Sequence, residues 1–441
     1  MKLIYLILLS LAIFSCSKED ENKIPTDTDT FKNSKIISYS KNMGHSGEEI
    51  TIYGENFTSE ISKITLTFDN ISATILSSSL TEIKFILPRV ITTIPVLNLV
   101  IPNRSVTNEV VNEYNGNIGI LPAIVYNSWS ILNQSLIAST DIRINKIQHL
   151  SATKMYLTLY SGTGGILKYT DDGGIKWKKT DDNWANLSAF HMASNSNSGF
   201  NSNGIDLRKI TNFTSIQSLR QLPFISTIYV DDNLDKGTVI TNKGIVYITN
   251  DGVNFNQVYQ SSITNNTSFD PFSFPVNEKL SNNHIWAGGR NKIRVNSIDK
   301  YYPFLLFKNN TTDGWKEYSF QNDLDYVPCD IVFLNQTQGY LHSYQYDFAS
   351  IQNRVASKIY KTSTGGDSWS LIYNGLPFLH LTFKDVNIGW AITANKIYKT
   401  IDAGVTWQLN YTHTQDLRNI SYKDGVVWAF SKDNILKFYL Q

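Results

Sequence analysis

The chain has two cysteines, Cys16 and Cys329, and no other side chain is as rare or as reactive. Cys329 precedes Asp330-Ile-Val-Phe333 at the beginning of a strand pattern, with no histidine beside it in sequence. A thiol so placed is expected to act as a small core residue rather than a nucleophile. The seven histidines show no paired ligand spacing, so no metal site is expected. Asp231-Asp232-Asn233-Leu-Asp235-Lys-Gly237 approaches the pattern of a calcium loop. Its glycine falls one place late for that geometry, and the segment reads as a strand-linking turn. Ser161-Gly-Thr-Gly-Gly165 lacks the lysine and the strand-to-helix setting of a phosphate loop, and reads as a hairpin. No catalytic residue and no cofactor are expected from these features.

The elements that must position such groups come from a repeated phrase. Leu381 to Trp407 contains two alternating apolar runs, a third run at Ile397 and Tyr398, and a tight Asp-Ala-Gly turn. That pattern predicts three antiparallel strands, with Trp407 leading into a fourth. Lys358 to Trp369 repeats Lys396 to Trp407, and Gly244 to Phe255 and Ile166 to Trp177 are further copies. Worn copies lie around Ile205 to Leu222 and end at Asp313-Gly-Trp315. A repeat of roughly 40 residues, with four short strands and one aromatic per unit, predicts a β-propeller. No unit of this kind buries its own faces, so neighbours must stack.

Thr400-Ile-Asp402-Ala-Gly404-Val-Thr-Trp407 resembles the Asp-box turn. With Gly389-Trp390-Ala391, the phrase resembles propellers of the photosystem II assembly and stability factor type, and more distantly those of sortilins and sialidases, over about Leu121 to Gln441. The resemblance implies an architectural turn, in which a carboxylate accepts backbone N–H groups, glycine takes positive φ and the aromatic packs between blades. The corresponding residues are Asp172, Gly174 and Trp177; Asn250, Gly252 and Phe255; Gly366 and Trp369; and Asp402, Gly404 and Trp407. Asn250 and Thr364 stand where aspartate is expected, and Phe255 stands in place of tryptophan.

Ala123 to Leu132 reads as a fourth strand without its blade, and Arg418 to Leu440 as three strands without a fourth. Joining them would close a ring and hide two sheet edges. Seven blades are then expected, with six or eight as alternatives.

At the other end of the chain, Lys2 and the apolar run from Leu3 through Phe14 are too short to span a bilayer and read as a signal peptide over residues 1–15. Ile13-Phe14-Ser15-Cys16 resembles a bacterial lipobox, which implies that Cys16 is acylated. Ser17-Lys18-Glu19-Asp20-Glu21 resembles the acidic tag that sends some lipoproteins to the outer face of the outer membrane. Residues 16–33 carry almost no apolar groups and are expected to form a tether.

Residues 34–115 read as seven short strands, the last from Glu109 to Tyr114. Gly44-x-x-Gly47-x-x-Ile50-Thr51-Ile52-x-Gly54-x-Asn56-Phe57 resembles the IPT/TIG family of immunoglobulin-like domains, which act as spacers or binding modules. The expected fold class is therefore all-β, an immunoglobulin-like sandwich followed by a propeller over residues 122–441.

A net charge of +1, from 39 basic and 38 acidic residues, argues against nucleic acid as the partner. A sialidase would need an arginine triad, a tyrosine–glutamate pair and an acid. The propeller arginines (Arg143, Arg208, Arg220, Arg290, Arg294, Arg354, Arg418) include none in that family's phrase, and glutamate is scarce there, at Glu278 and Glu317. The expected function is a non-catalytic module at the cell surface that binds glycan or protein, with an envelope assembly factor or a degenerate glycoside hydrolase as alternatives. Binding is expected at aromatic-rich insertions. One holds Phe269, Phe272 and Phe274; the other holds Tyr340, Tyr344, Tyr346 and Phe348 ahead of Arg354.

Overall fold

The computed structural model describes residues 32–136, 143–161, 164–179, 189–262, 276–310, 312–347 and 350–441. The signal peptide, Cys16, nearly all of the tether, Phe348 and the phenylalanines at 269, 272 and 274 lie outside them. Among the described residues the chain is all-β, and the single helical turn is a 3-10 segment at Ile61–Lys63.

The first unit is a sandwich. A five-stranded sheet runs in the order Thr74–Ser78, Glu82–Ile86, Glu49–Glu55, Ser34–Tyr39, Val106–Asn108, and faces a three-stranded sheet of Ile71–Ser72, Thr65–Phe68 and Leu97–Val100. Ile50, Ile52, Phe57, Phe68, Ile83 and Phe85 are wholly buried between them. Each such side chain contributes about 1.5–3 kcal/mol by leaving water. Glu109 to Tyr114 is not a strand. Asn108 Oδ1 accepts from Val110 N–H, and Asn112 Oδ1 accepts from the N–H groups of Tyr114 and Gly116, so local Asx turns take the groups a ladder would need.

The remaining described residues form seven four-stranded antiparallel sheets, a β-propeller. Six are sequential, and the seventh joins the chain ends: Trp129–Asn133 pairs with Asn434–Tyr439, which continues to Val426–Ser431 and Leu417–Lys423. The register runs from Trp129 opposite Phe438 to Asn133 opposite Asn434. Leu132 buries itself among Trp428, Ile435 and Leu121.

Aromatic pairs cross from sheet to sheet. Phe333 stacks on Trp286 with ring centroids 3.6 Å apart, and Phe383 stacks on Tyr340 at 3.8 Å. Each phenylalanine is followed six residues later by a glycine, Gly339 or Gly389, where a Cβ would come within 2.6 Å of the ring. Only the missing side chain lets the ring lie flat, which explains the Gly-aromatic step in the repeat.

The two units are joined by a packed seam. Gly119–Leu121 pairs in parallel with Met43–His45. The Tyr114 hydroxyl donates to Asp172 Oδ2 at 3.0 Å, with both residues 2% exposed. Thr93 Oγ1 donates to the carbonyl of Ile175 at 3.1 Å.

Candidate functional site

One edge strand of each propeller sheet lies innermost, the first in each sequential sheet and Leu417–Lys423 in the closing one. These strands are Arg143–His149, Ala189–Met192, Ile225–Val230, Val276–Ser281, Tyr326–Phe333, His380–Phe383 and Leu417–Lys423. Together they enclose a central cavity of about 710 Å³, and every one of them contributes lining. A strand that alternates its side chains sends every second one into this space. A register shift between Pro328 and Asp330 breaks that alternation, and the adjacent Cys329 and Asp330 both line the cavity.

One wall of the cavity is basic. Lys146, Lys279, Lys423, His149 and His191 line it, with Glu278 among them. Lys146 Nζ has no hydrogen-bond partner and lies 5.6 Å from the Phe190 ring centre and 5.8 Å from that of Tyr229. Burial lowers its ammonium to about 8, against the attraction of Glu278. The same burial lifts the Glu278 carboxyl to about 7 despite Lys423 and Lys146. Burial also holds His149 down at about 3 and His191 well below the ordinary imidazole range. The wall therefore presents uncharged imidazoles beside ammonium groups, two of which, Lys146 and Lys279, are lowered by burial.

The opposite wall carries a denser cluster. Asp330 accepts from two imidazoles: His380 Nδ1 lies 2.8 Å from Oδ1, and His342 Nδ1 lies 2.7 Å from Oδ2. Leu381 N–H also donates to Oδ2 at 3.0 Å. His342 Nε2 meets Ser357 Oγ at 2.9 Å, so both nitrogens of this fully buried ring are engaged. Cys329 Sγ sits 3.7 Å from His380 Nδ1 and 3.4 Å from the Arg354 guanidinium, and as a thiol donates to the Leu379 carbonyl at 2.9 Å. Arg354 also donates to the carbonyls of Phe378 and Leu379. Burial pushes the Cys329 thiol up, but Arg354 and His380 outweigh it and hold it at about 6. Burial would lower His380, yet Cys329 and Asp330 raise it to about 10. Asp330 stays well below the usual carboxylate range because the two histidines overcome its burial.

His380 faces both Asp330 and Cys329 through the same nitrogen, Nδ1. A general-base relay needs one ring nitrogen toward the carboxylate and the other toward the nucleophile, so His380 does not form one with Cys329. Asp330, His342 and Ser357 do have that two-nitrogen arrangement, but His342 and Ser357 are fully buried and do not line the cavity.

Cys329 is thus not an isolated core thiol. His380 is 51 residues away in sequence and in the next sheet. Aligning the repeats on Phe333…Gly339 and Phe383…Gly389 would have set Asp330 and His380 at equivalent strand positions. Equivalent positions on the inner strands of neighbouring sheets adjoin at the cavity wall.

Tyr340 and Tyr344, the residues of the aromatic insertion whose side chains are described, do not face solvent. Tyr340 is fully buried under Phe383, and its hydroxyl donates to the Val386 carbonyl at 2.6 Å. Tyr344 is 7% exposed and lies beneath the Arg354 guanidinium, 3.8 Å from its ring centre. Arg354 turns inward to Cys329, and Tyr346 pairs with it through the backbone. The thiol and the carbonyls of Phe378 and Leu379 give the guanidinium its partners there.

The repeated turns are architectural in geometry. Thr400 Oγ1 donates to Asp402 Oδ1 and accepts from Gly404 N–H, Asp402 Oδ1 accepts from Thr406 N–H, and Trp407 Nε1 donates to the Gly404 carbonyl. Thr170, Asp172 and Gly174 repeat the Thr–Asp–Gly arrangement, and Trp177 packs against the core cluster that holds Leu132 and Trp428. At the third copy the acceptor is Asp251, not Asn250: its Oδ1 takes the N–H groups of Val253 and Asn254. The turn from Thr249 to Phe255 is one residue shorter than that from Thr400 to Trp407, which moves the carboxylate next to Gly252. Phe255 fills the aromatic place edge-on to Phe200 at 5.9 Å. At the fourth copy, the Thr364 hydroxyl replaces the carboxylate by accepting from Ser368 N–H, beside Gly366 and Trp369.

Comparison with known proteins bears on both units. The IPT/TIG domain model matches residues 34–115. Residues 34–115 are an IPT/TIG domain. No curated protein matches the chain. Among solved structures, YCF48 bound to D1 peptide is 17% identical and covers 73% of this chain and 99% of its own, with a TM-score of 0.45. The WD40 β-propeller domain of Doa1 is 11% identical over 71% of this chain and 97% of its own, with a TM-score of 0.42. An auxiliary nutrient binding protein from Bacteroides thetaiotaomicron VPI-5482 is 13% identical over 93% and 98%, with a TM-score of 0.34.

Proposed function

We propose that the chain is an outer-membrane lipoprotein, anchored through Cys16 and facing the cell exterior, whose Asp-box propeller is a non-catalytic binding module for a glycan or protein ligand. The observation that carries the binding role is the central cavity of about 710 Å³, to which all seven innermost strands contribute lining. Concave sites of this size with a few convergent polar groups are where ligands bind. The cavity lining carries polar groups of several kinds, and Lys146 Nζ and His149 Nε2, both buried, have no hydrogen-bond partner among the described residues. The shared nitrogen of His380, and the full burial of Ser357 behind His342, support binding over catalysis. The packed seam at Tyr114 and Asp172 supports a role for the IPT/TIG domain as a rigid spacer between membrane and propeller.

The test is capture of surface-crosslinked partners and of arrayed glycans by the mature chain, compared with a variant in which Ser421→Trp fills the cavity. Ser421 lines the space beside His149. Loss of capture with a melting temperature within a few degrees of wild type supports the reading. Capture unaffected by Ser421→Trp but lost on changing the fully exposed Val111 refutes it. Anchoring is checked separately: an alkyne fatty acid should label wild type and not Cys16→Ala, and protease shaving of whole cells should remove the protein.

A further inference from the structure

We propose that Cys329, Asp330 and His380 form a binding site for a divalent transition metal of the zinc class, with one coordination position open to the central cavity. One donor atom from each of the three lies within 4.8 Å of the others. Sγ and Nδ1 are 3.7 Å apart, and Nδ1 and Oδ1 are 2.8 Å apart. Tetrahedral zinc, with bonds of about 2.0–2.3 Å, separates its ligand atoms by roughly 3.5 Å. These two separations lie on either side of that value, and the third, from Sγ to a carboxylate oxygen of Asp330, is within 4.8 Å.

The donor set selects the metal. A thiolate and an imidazole favour zinc-class ions, whereas calcium and magnesium require oxygen. Three protein ligands on a cavity wall leave the remaining position to water or to a ligand group, since all three residues line the cavity.

The surroundings hold the donors in place. Asp330 is fixed by His342 and by Leu381 N–H, and His342 is fixed in turn by Ser357. Outer hydrogen bonds of this kind orient ligands and tune affinity. Arg354 donates toward Sγ from the side, and its charge is shared with two backbone carbonyls. Cys329, Asp330 and His380 stand on paired strands of two adjacent sheets, so their spacing does not depend on a loop. When the ion enters, the proton that His380 Nδ1 shares with Asp330 and the thiol proton of Cys329 leave to solvent through the cavity.

The experiment uses the full chain carrying Cys16→Ser, so that Cys329 is the only thiol. After chelator treatment it is titrated with Co²⁺ and Zn²⁺. The expected result is a single bound equivalent, with a thiolate-to-cobalt charge-transfer band that Zn²⁺ displaces. Zn²⁺ should also slow alkylation of Cys329 by iodoacetamide. Cys329→Ser should lose the band, and His342→Ala should weaken binding by about ten-fold or more. The proposal is overturned if Co²⁺ gives no charge-transfer band and saturating Zn²⁺ leaves alkylation unchanged. Both readouts come from the thiol-bearing chain, so they decide the matter even where a variant fails to fold.

Discussion

Closure of the ring by Trp129–Asn133 makes a quantitative demand on Leu132. This side chain is 3% exposed, and its Cδ2 would sit 3.4 Å from a Cβ placed at Gly174 in the first sequential sheet. It therefore connects the strand that precedes the propeller to the sheet that ends it and to the sheet that begins it. Leu132→Ala removes that plug. Buried Leu→Ala changes cost about 2–5 kcal/mol, and a site enclosed by Trp428, Ile435 and Leu121 has little freedom to collapse. About 3 kcal/mol corresponds to a fall in melting temperature of roughly 6–12 °C for a large domain. Ile131 is next in the same strand but 41% exposed, so Ile131→Ala should change stability by less than about 0.5 kcal/mol. Scanning calorimetry on the two variants measures both. Hydrogen exchange should locate the loosening at those amides of Asn434–Tyr439 that bond to Trp129–Asn133, alternate ones along the strand. Equal shifts for the two variants, or a Leu132→Ala shift below a degree, would refute the closure argument.

Other residues give further tests. Glu278 titrates at about 7 in the folded chain against an ordinary 4.5, so the folded state holds a proton that the unfolded state has released, and stability falls as pH rises through that window. Glu278→Gln should raise stability by about 2 kcal/mol at pH 8, after discounting for solvent in the cavity, and leave it unchanged at pH 4; a profile parallel to wild type would sink the assignment. Asp251→Ala should lower the melting temperature by a few degrees while Asn250→Ala leaves it within a degree, because only Asp251 holds the turn's N–H groups. The reverse order would restore Asn250 as the acceptor. Tyr114→Phe leaves the buried Asp172 short of a donor across the domain seam and should cost about 1.5–3 kcal/mol by chemical denaturation. An unchanged denaturation midpoint would mean that the hydroxyl does not couple the two units.

The all-β class and the two kinds of unit were legible because both rest on local rules. Alternation of apolar residues, Gly-bearing turns and an aromatic per repeat recur at a fixed spacing in Leu381 to Trp407 and its copies. The pairing of the chain's two ends was also legible, since an unpaired strand at 129–133 and an incomplete set after 417 each need a partner. Local rules failed where side chains competed for backbone groups. Asn108 and Asn112 turned an apparent strand at Glu109 to Tyr114 into a loop, and a one-residue deletion moved the turn acceptor from Asn250 to Asp251.

The site belongs to tertiary structure. Cys329, His342 and Arg354 have no telling spacing along the chain, and Asp330 and His380 are related only once the repeats are aligned, because a propeller places equivalent positions of successive repeats side by side whatever lies between them. Whether Tyr340 and Tyr344 face solvent or the next sheet depends on which neighbour covers them, and composition carries no information about that neighbour. The sequence alone determined the strands and their repetition, since those follow from interactions within a few residues. Only the closed ring decided which side chains share the cavity and what their charges become, since burial and proximity are properties of the assembled sheets.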